Sequence, residues 1–275
     1  MKILLKERKE LQSAGRWDID FHLPAEGIKK FPKALLKRID AVADVVKDKR
    51  DPSREPEKAF QYIDISSVDV TIGVITNPQD VEGSEAPSRA RKVVSAFDLV
   101  ISTCRPTRGA IAVVPVKLHD QIASTGFSIV RAHEGINPFY LHYALRLPST
   151  LEQFRKWSTG SSYPAILDTD VSKTLIPVPE SSVQDAIAAS VVKALRERDK
   201  VIRAANIIWD STLSEITASL CEQEIEPPTN KTLDQEDLLD AFTIEEVRET
   251  LRSLPTITTD KNGNGNGAGN EDEEE

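Results

Sequence analysis

From Ser182 to Gln223 the chain contains neither proline nor glycine, and over that stretch its apolar residues recur at helical spacing. Ile187, Val191, Leu195, Ile202, Ala205, Trp209, Leu213, Ile216 and Leu220 follow in steps of three and four, with one gap where Arg198 falls on the stripe. The pattern predicts a single helix over 182–223, about 60 Å long at about 1.5 Å per residue. No small domain covers so narrow a stripe over that length, so the helix needs a companion helix. Ile187, Val191, Leu195, Ile202, Trp209, Leu213 and Ile216 are the interface candidates, with Trp209 as an anchor and Asn206 beside the stripe as a register residue. Arg196, Arg198, Lys200 and Arg203, with Glu197 and Asp199 between them, read as a solvated face with local ion pairs.

The segment before this helix marks the end of a domain. A small-polar loop, Ser158-Thr159-Gly160-Ser161-Ser162, is closed by Tyr163-Pro164, and Leu175-Ile176-Pro177-Val178-Pro179 follows. The two prolines exclude helix and central strand and force an extended elbow. Ser181 or Ser182 then caps the helix, with Gln184 and Asp185 in its first turns.

Upstream, the pattern predicts a mixture of elements. Residues 2–12 read as a helical turn or two, and Trp17 to Phe21 alternates as an extended anchor. Residues 33–47 place Leu35, Leu36, Ile39, Val42, Val45 and Val46 on one helical face and predict a packing helix. Phe60 to Ile65, Val70 to Ile75 and Leu99 to Ser102 read as strands. The apolar runs Ala110 to Pro115 and Gly126 to Val130 read as buried ones. Asn137-Pro138 opens a helix to residue 147, and Leu151, Phe154 and Trp157 mark another over 149–157. Short strands about ten residues apart predict a curved mixed sheet with packing helices, an α+β fold. Beyond Pro227-Pro228, residues 234–253 carry a modest helical pattern. The Asn/Gly alternation over 262–270 and the closing Glu-Asp-Glu-Glu-Glu cannot build a core, and the sequence predicts disorder there.

Charge is unevenly spread over the 275 residues. Residues 211–275 hold 17 Asp/Glu and 4 Lys/Arg, whereas residues 1–210 hold 27 and 31. The net charge of −9 therefore arises in the C-terminal part, and a mildly basic body is compatible with phosphate contacts. Cys104 and Cys221 sit far apart in unlike contexts, forming neither a disulfide framework nor a metal ligand set, and read as reduced cytosolic thiols. No apolar run approaches the ~20 residues of a membrane helix, and Met1 to Glu7 lacks the apolar core of a secretion leader. The expectation is a soluble, cytoplasmic protein.

Catalytic motifs are missing. There is no glycine-rich cofactor loop, no Asn/Asp-Pro-Pro-aromatic motif of adenine methylation and no phosphate-cradling loop ending in Lys-Ser/Thr. His22, His119, His133 and His142 lack metal-ligand spacing, and Asp168 or Asp170 reads as a turn cap with Lys173 a solvated charge. No metal or cofactor is expected. Basic clusters remain. Arg89, Arg91 and Lys92 set three cations within four residues, and in a strand-like conformation Arg89 and Arg91 share a face, fit for phosphates or guanine edges. Arg105, Thr107 and Arg108 form a basic turn held by Pro106 and Gly109. Thr159, Ser161, Ser162 and Tyr163 offer amides, hydroxyls and a ring to a phosphate. Each has a plainer alternative: a solvated strand edge, an ordinary turn, and a loop that packs the domain on its helix.

The order and spacing of these segments resemble the DNA specificity subunit of type I restriction–modification systems. The resemblance rests on the loop, elbow and Gln184 ahead of the helix. It also rests on Ala86-Pro87-Ser88-Arg89-Ala90-Arg91-Lys92, Phe97-Asp98-Leu99-Val100-Ile101-Ser102-Thr103 with Arg105-Pro106, and Gln121-Ile122-Ala123-Ser124-Thr125-Gly126-Phe127. It covers roughly residues 55–210. It implies a non-catalytic target recognition domain over 1–180 and a long, coiled-coil-like assembly helix over 181–223. A linker and short helical extension over 224–255 and a tail over 256–275 complete the expected organisation. It also implies double-stranded DNA, a DNA adenine methyltransferase subunit and a restriction endonuclease/translocase subunit as partners. The family carries two recognition domains and two long helices. One of each is evident here, so the chain looks like a half-subunit that homodimerises through its helix on a palindromic bipartite target, a non-palindromic target calling instead for a second, different half-subunit. The rival reading is a recognition-domain relative that regulates or inhibits a restriction system without reading sequence.

Overall fold

The computed structural model describes residues 5–23, 25–160, 162–221 and 242–257. Two short helices, α1 (Arg8–Ala14) and α2 (Ile19–His22), open the chain. Strands β1 (Leu36–Arg38), β2 (Ala43–Val46), β3 (Ala59–Ile63), β4 (Val68–Asp69), β5 (Val74–Ile75) and β6 (Gln79–Glu82) follow. After them come β7 (Ala90–Val94), β8 (Leu99–Ser102), β9 (Ile111–Val113), β10 (Gln121–Ser124) and β11 (Phe127–Ala132). Then come α3 (Pro138–Arg146), α4 (Pro148–Trp157), α5 (Asp168–Lys173), β12 (Leu175–Pro177), α6 (Ser181–Cys221) and α7 (Ile244–Ser253).

The α+β expectation holds, and the sheet resolves into parts. One four-stranded sheet runs β2-β11-β8-β9 and is antiparallel throughout; a second runs β6-β3-β10-β7 and is mixed, with β3 and β10 parallel. Side-chain alternation distributes their residues among layers. Leu99, Ile101, Ile111 and Val113 face α3 and α4 in the main core, whereas Val100, Ala112 and Ile129 meet Ile63, Val94 and Ala123 of the second sheet. Both faces of the first sheet are thus covered, which is why its strands read as unbroken apolar runs.

Three expectations are corrected. Residues 33–47 are not a helix: β1 pairs antiparallel with β12 and β2 with β11. Ile39, Val42, Val45 and Val46 are β-branched, and their helical spacing yields to the edges offered by partner strands far along the chain. Trp17 to Phe21 is not extended, because the Asp18 side chain accepts the Phe21 N–H at 2.9 Å and caps α2. Of Val70 to Ile75 only β5 is strand, since residues 70–73 turn back so that β5 pairs with β4. The helical pattern of 234–253 is described from Ile244 onward; residues 234–241 lie outside the described residues.

The elbow is fixed by buried hydrogen bonds. Tyr140 Oη donates to Pro177 O at 2.7 Å, and Gln184 Nε2 donates to Pro179 O at 2.8 Å. Gln184 Oε1 accepts the Asn137 N–H at 3.0 Å, while Asn137 Oδ1 caps α3 through the Phe139 and Tyr140 N–H groups. The glutamine after the elbow therefore locks the first turns of α6 to the start of α3. Ala188 and Val192 are buried one and two turns further along.

His142 on α3 gives the fold a pH dependence. Its ring is buried and its Nε2 lies 3.1 Å from Ile111 O. Burial, with the Arg146 charge adding to it, pushes its pKa down to about 4 from 6.5. A depressed folded pKa means that the unfolded chain binds the proton first. Stability therefore falls as pH drops below the unfolded value near 6.5, and the loss is complete below about 4. Urea unfolding at pH 5 should give a free energy about 2 kcal/mol lower than at pH 7 from this residue, and His142→Gln should flatten that slope. An unchanged slope in the variant would assign the dependence to other groups.

Candidate nucleic-acid interface

The basic and small-polar segments, far apart in sequence, meet at one end of the head. Thr103 N and Oγ1 both donate to Gly126 O at 2.9 Å, and Thr125 N donates to Arg89 O at 2.8 Å. Ile166 N donates to Thr103 O at 2.9 Å, and Arg105 N donates to Pro164 O at 2.7 Å. Backbone hydrogen bonds thus fasten the 103–109 turn to the 159–166 loop on one side and to 124–127 and Arg89 on the other.

Arg105 is the hinge of this arrangement. It adopts a left-handed conformation, φ 48°, unusual for a residue before proline and costing of order 1 kcal/mol. The strain places its guanidinium 4.5 Å from the Tyr163 ring centroid, with Nη2 3.4 Å from Ser162 O. Tyr163 itself is 69% exposed, so the stacked pair presents both a cation and an aromatic face to solvent. Thr107 and Arg108 are exposed on the same turn, whose Gly109 carbonyl accepts Arg146 Nη1 at 2.7 Å. Thr159 and Ser162 are exposed, and Ser161 lies outside the described residues. Gly160 holds φ 91° with room for no side chain: an added Cβ would meet Tyr163 O at 3.1 Å.

The 89–92 cluster divides. A bulge in the pairing of β7 with β10, where Ala123 pairs with Lys92 and Ser124 with Ala90, breaks the simple alternation through Arg91. Arg89 is exposed. Arg91 Nη1 turns back to Ala90 O at 2.8 Å, and its Nη2 lies 3.4 Å from Asp51 Oδ1. Lys92 points inward: its Nζ donates to Phe127 O at 2.6 Å and lies 3.9 Å from Asp168 Oδ2. Burial holds this ammonium below its ordinary pKa, against the pull of Asp168, with Lys49 adding to the fall. The expectation of capping aspartates is met by Asp170, whose carboxylate accepts the Leu167 N–H at 2.8 Å; Lys173 pairs with Asp170 and lies 3.8 Å from the Trp157 ring centroid.

Beside the Arg105–Tyr163 pair lies a groove of about 390 Å³, whose lining includes Ile65, Ser66, Val70, Arg105, Arg108 and Tyr163. Ile65 and Val70 were legible in the sequence only as strand residues, and Ser66 only as the residue after a strand. Val70 is 46% exposed, and its turn is held by Arg146, whose Nη2 donates to Val70 O at 3.0 Å.

On the long helix, the head-facing positions are Gln184, Ala188 and Val192, neighbours of the expected stripe rather than members of it. Ile187 also packs partly on the core, and Val191 and Leu195 are half-buried. Ile202, Trp209, Leu213 and Ile216 are exposed, as are Val201, Ile207 and Ile208, which the stripe did not include. Among the described residues no helix is long and apolar enough to cross a membrane.

No protein-family model matches the chain, and no curated protein is significantly similar to it. Solved structures are. The HsdS subunit from Thermoanaerobacter tengcongensis is 35% identical over 70% of this chain, with a TM-score of 0.53. A chain from a structural study of complex assembly and conformational transition of the type I R-M system is 36% identical over 73%, with a TM-score of 0.55. This chain spans 51% of the length of each. With the 103–109 and 159–166 loops, the elbow and the long helix all in place, the chain belongs to the type I restriction–modification specificity-subunit family.

Proposed function

We propose that the chain is a non-catalytic, sequence-reading subunit that carries DNA adenine methyltransferase subunits, and an endonuclease/translocase subunit, to a bipartite site on double-stranded DNA. The supporting observation is the convergence of Arg89, Arg105, Thr107, Arg108, Thr159, Ser162 and Tyr163 at one end of the head, in a chain whose solved relatives are HsdS-type subunits. Phosphate contacts from the arginines set register, and the groove beside Tyr163 admits base edges. Arg91 and Lys92 act mainly by shaping the β7 edge. We divide the chain into a reading head over 1–180, an assembly helix over 181–223, an extension over 224–255 and a tail over 256–275. The exposed stripe of α6 pairs with a second copy. Mapping methylated adenines in cells that hold the partner methyltransferase, with and without this chain, tests the reading; an identical methylation map in both rejects it.

Arg105→Ala should weaken binding to the cognate duplex about 10-fold and reduce the slope of log affinity against log salt by about 0.9. Anisotropy titrations between 50 and 200 mM salt measure both. Affinity within two-fold of the parent and an unchanged slope would place Arg105 outside the interface.

A further inference from the structure

The chain returns to the head after the long helix. Phe242 packs against Phe97 and Phe139 with ring centroids 5.1 and 6.0 Å away, and α7 buries Val247. The strand-like end of this strap is pinned by His119. His119 Nδ1 accepts the Ala96 N–H at 3.2 Å, so Nε2 carries the proton and donates to Pro255 O at 2.8 Å. Ile257 then packs on the outer face of the second sheet, against Tyr62, Ala90, Val93 and Ile122.

The exit point matters because that sheet carries opposite charges on its two edges. On the β6 side Asp80, Glu82 and Glu85 are exposed. On the β7 side the 48–50 segment runs alongside, with Lys49 bridging Lys92 and Arg50 N donating to Arg91 O at 3.0 Å. The acids there are engaged: Asp51 with Arg91, Asp120 with Arg50, and Asp48 3.8 Å from Arg131. Lys47, Lys49 and Arg89 are exposed. Residues 258–275 hold six carboxylates and one lysine, five of the carboxylates in Glu271 to Glu275. Thirteen residues lie between Ile257 and Glu271, a reach of at most about 50 Å, whereas Ala90 of β7 already shares a cluster with Ile257.

We infer that the acidic segment 258–275 docks in cis on the β7 edge, at Lys47, Lys49 and Arg89, and competes there with duplex phosphates. The inference rests on the DNA-reading assignment above for its consequence, not for the contact itself. Repulsion from the β6 edge and attraction to the β7 edge select the side. Tethering supplies an effective concentration of order millimolar, which free acidic peptide would lack. A cognate duplex, bound also through the groove and Tyr163, displaces the tail; a non-cognate duplex, held by phosphates alone, competes less well. The tail therefore sharpens discrimination by suppressing non-specific binding.

Two measurements on the full chain test this. Zero-length carbodiimide coupling followed by peptide mass spectrometry should join Glu271 to Glu275 with Lys47 and Lys49, and added non-specific duplex should suppress those links. Links running instead to Lys193 and Lys200 on the long helix would overturn the docking, as would Lys49 links that persist under saturating duplex. Converting the five carboxylates to amides (Glu271→Gln, Asp272→Asn, Glu273→Gln, Glu274→Gln, Glu275→Gln) should tighten non-specific binding about 10-fold at 50 mM salt. That gain should shrink markedly at 300 mM, and a change under two-fold at low salt also overturns the proposal. If no duplex binds either protein, the DNA-reading assignment fails while the coupling pattern still decides the docking.

Discussion

Trp209→Asp combined with Leu213→Asp should sediment as a monomer at concentrations where, on the proposed pairing of α6 with a second copy, the unaltered chain sediments as a dimer, a loss of association of at least about 100-fold. α6 spans 41 residues, and the apolar side chains it buries, Ala188 and Val192, lie within its first few turns. Further along, Trp209 is 62% and Ile216 51% exposed. A helix that is polar all round has no apolar surface to bury by association, but one with an exposed apolar stripe of this length gains by it. In the proposed pairing Trp209 would supply the largest area to bury, as aromatic anchors do at interfaces. A charge at the centre of a seam, desolvated without a partner, costs several kcal/mol in each protomer. Sedimentation velocity across micromolar concentrations reads the result. The head should remain folded, since neither side chain touches it, and an unchanged circular dichroism melt of the head supports that. Dimerisation that survives the double substitution would move the partner surface elsewhere.

The second large effect concerns stability. Asp98→Ala should lower the unfolding free energy by about 3 kcal/mol. The Asp98 carboxylate is buried and accepts Arg131 Nε at 2.7 Å, Arg131 Nη2 at 2.8 Å and the Ser95 N–H at 2.8 Å. Its removal leaves the Ser95 amide buried without an acceptor and frees one face of the Arg131 fork. A wholly buried pair broken on one side costs more, about 3–5 kcal/mol. Here the Arg131 side chain is 41% exposed and turns partly to water, which sets the smaller figure. Asp98→Asn keeps an acceptor for Ser95 and should cost less than the alanine. Urea midpoints of the three proteins give the comparison. A loss below 1 kcal/mol for the alanine would mean that desolvating the carboxylate offsets nearly all its bonds.

The sequence was most legible where the signal is local. Asn137 and Pro138 announce α3 through a cap and a fixed φ, and the elbow with the 3–4 spacing beyond it announces the start of α6 within one residue. It was least legible where a distant strand decides. Leu36, Val45 and Val46 fit a helix face on paper, and only β12 and β11, about 140 and 85 residues later, make their segments strands. The candidate site shows the same division. Arg105, Tyr163 and Ser162 were visible as separate loops. Their meeting depends on Thr103, Gly126 and Ile166 exchanging backbone bonds, which no local pattern encodes. Lys92 looks like its neighbour Arg89 in sequence, yet a bulge beside Ala90 turns it toward Phe127. The strap from Phe242 to Ile257 was readable as a helix, but its seat on His119 was not.

The hydrogen bonds around the elbow have a mechanical consequence. Gln184 joins the rod to Pro179 and Asn137. Gln153 on α4 then grips both the N–H and the carbonyl of Leu175 on β12, at 2.9 and 2.8 Å. The last turn of α4 passes directly into Ser158 and the loop that carries Thr159 and Tyr163. From the rod to α4 the joints are thus two glutamine amides, each using both its ends on backbone groups. A tilt imposed on the rod by a bound enzyme would arrive at the fingertip as a rigid displacement, so the head is gripped at its handle as firmly as at its tip.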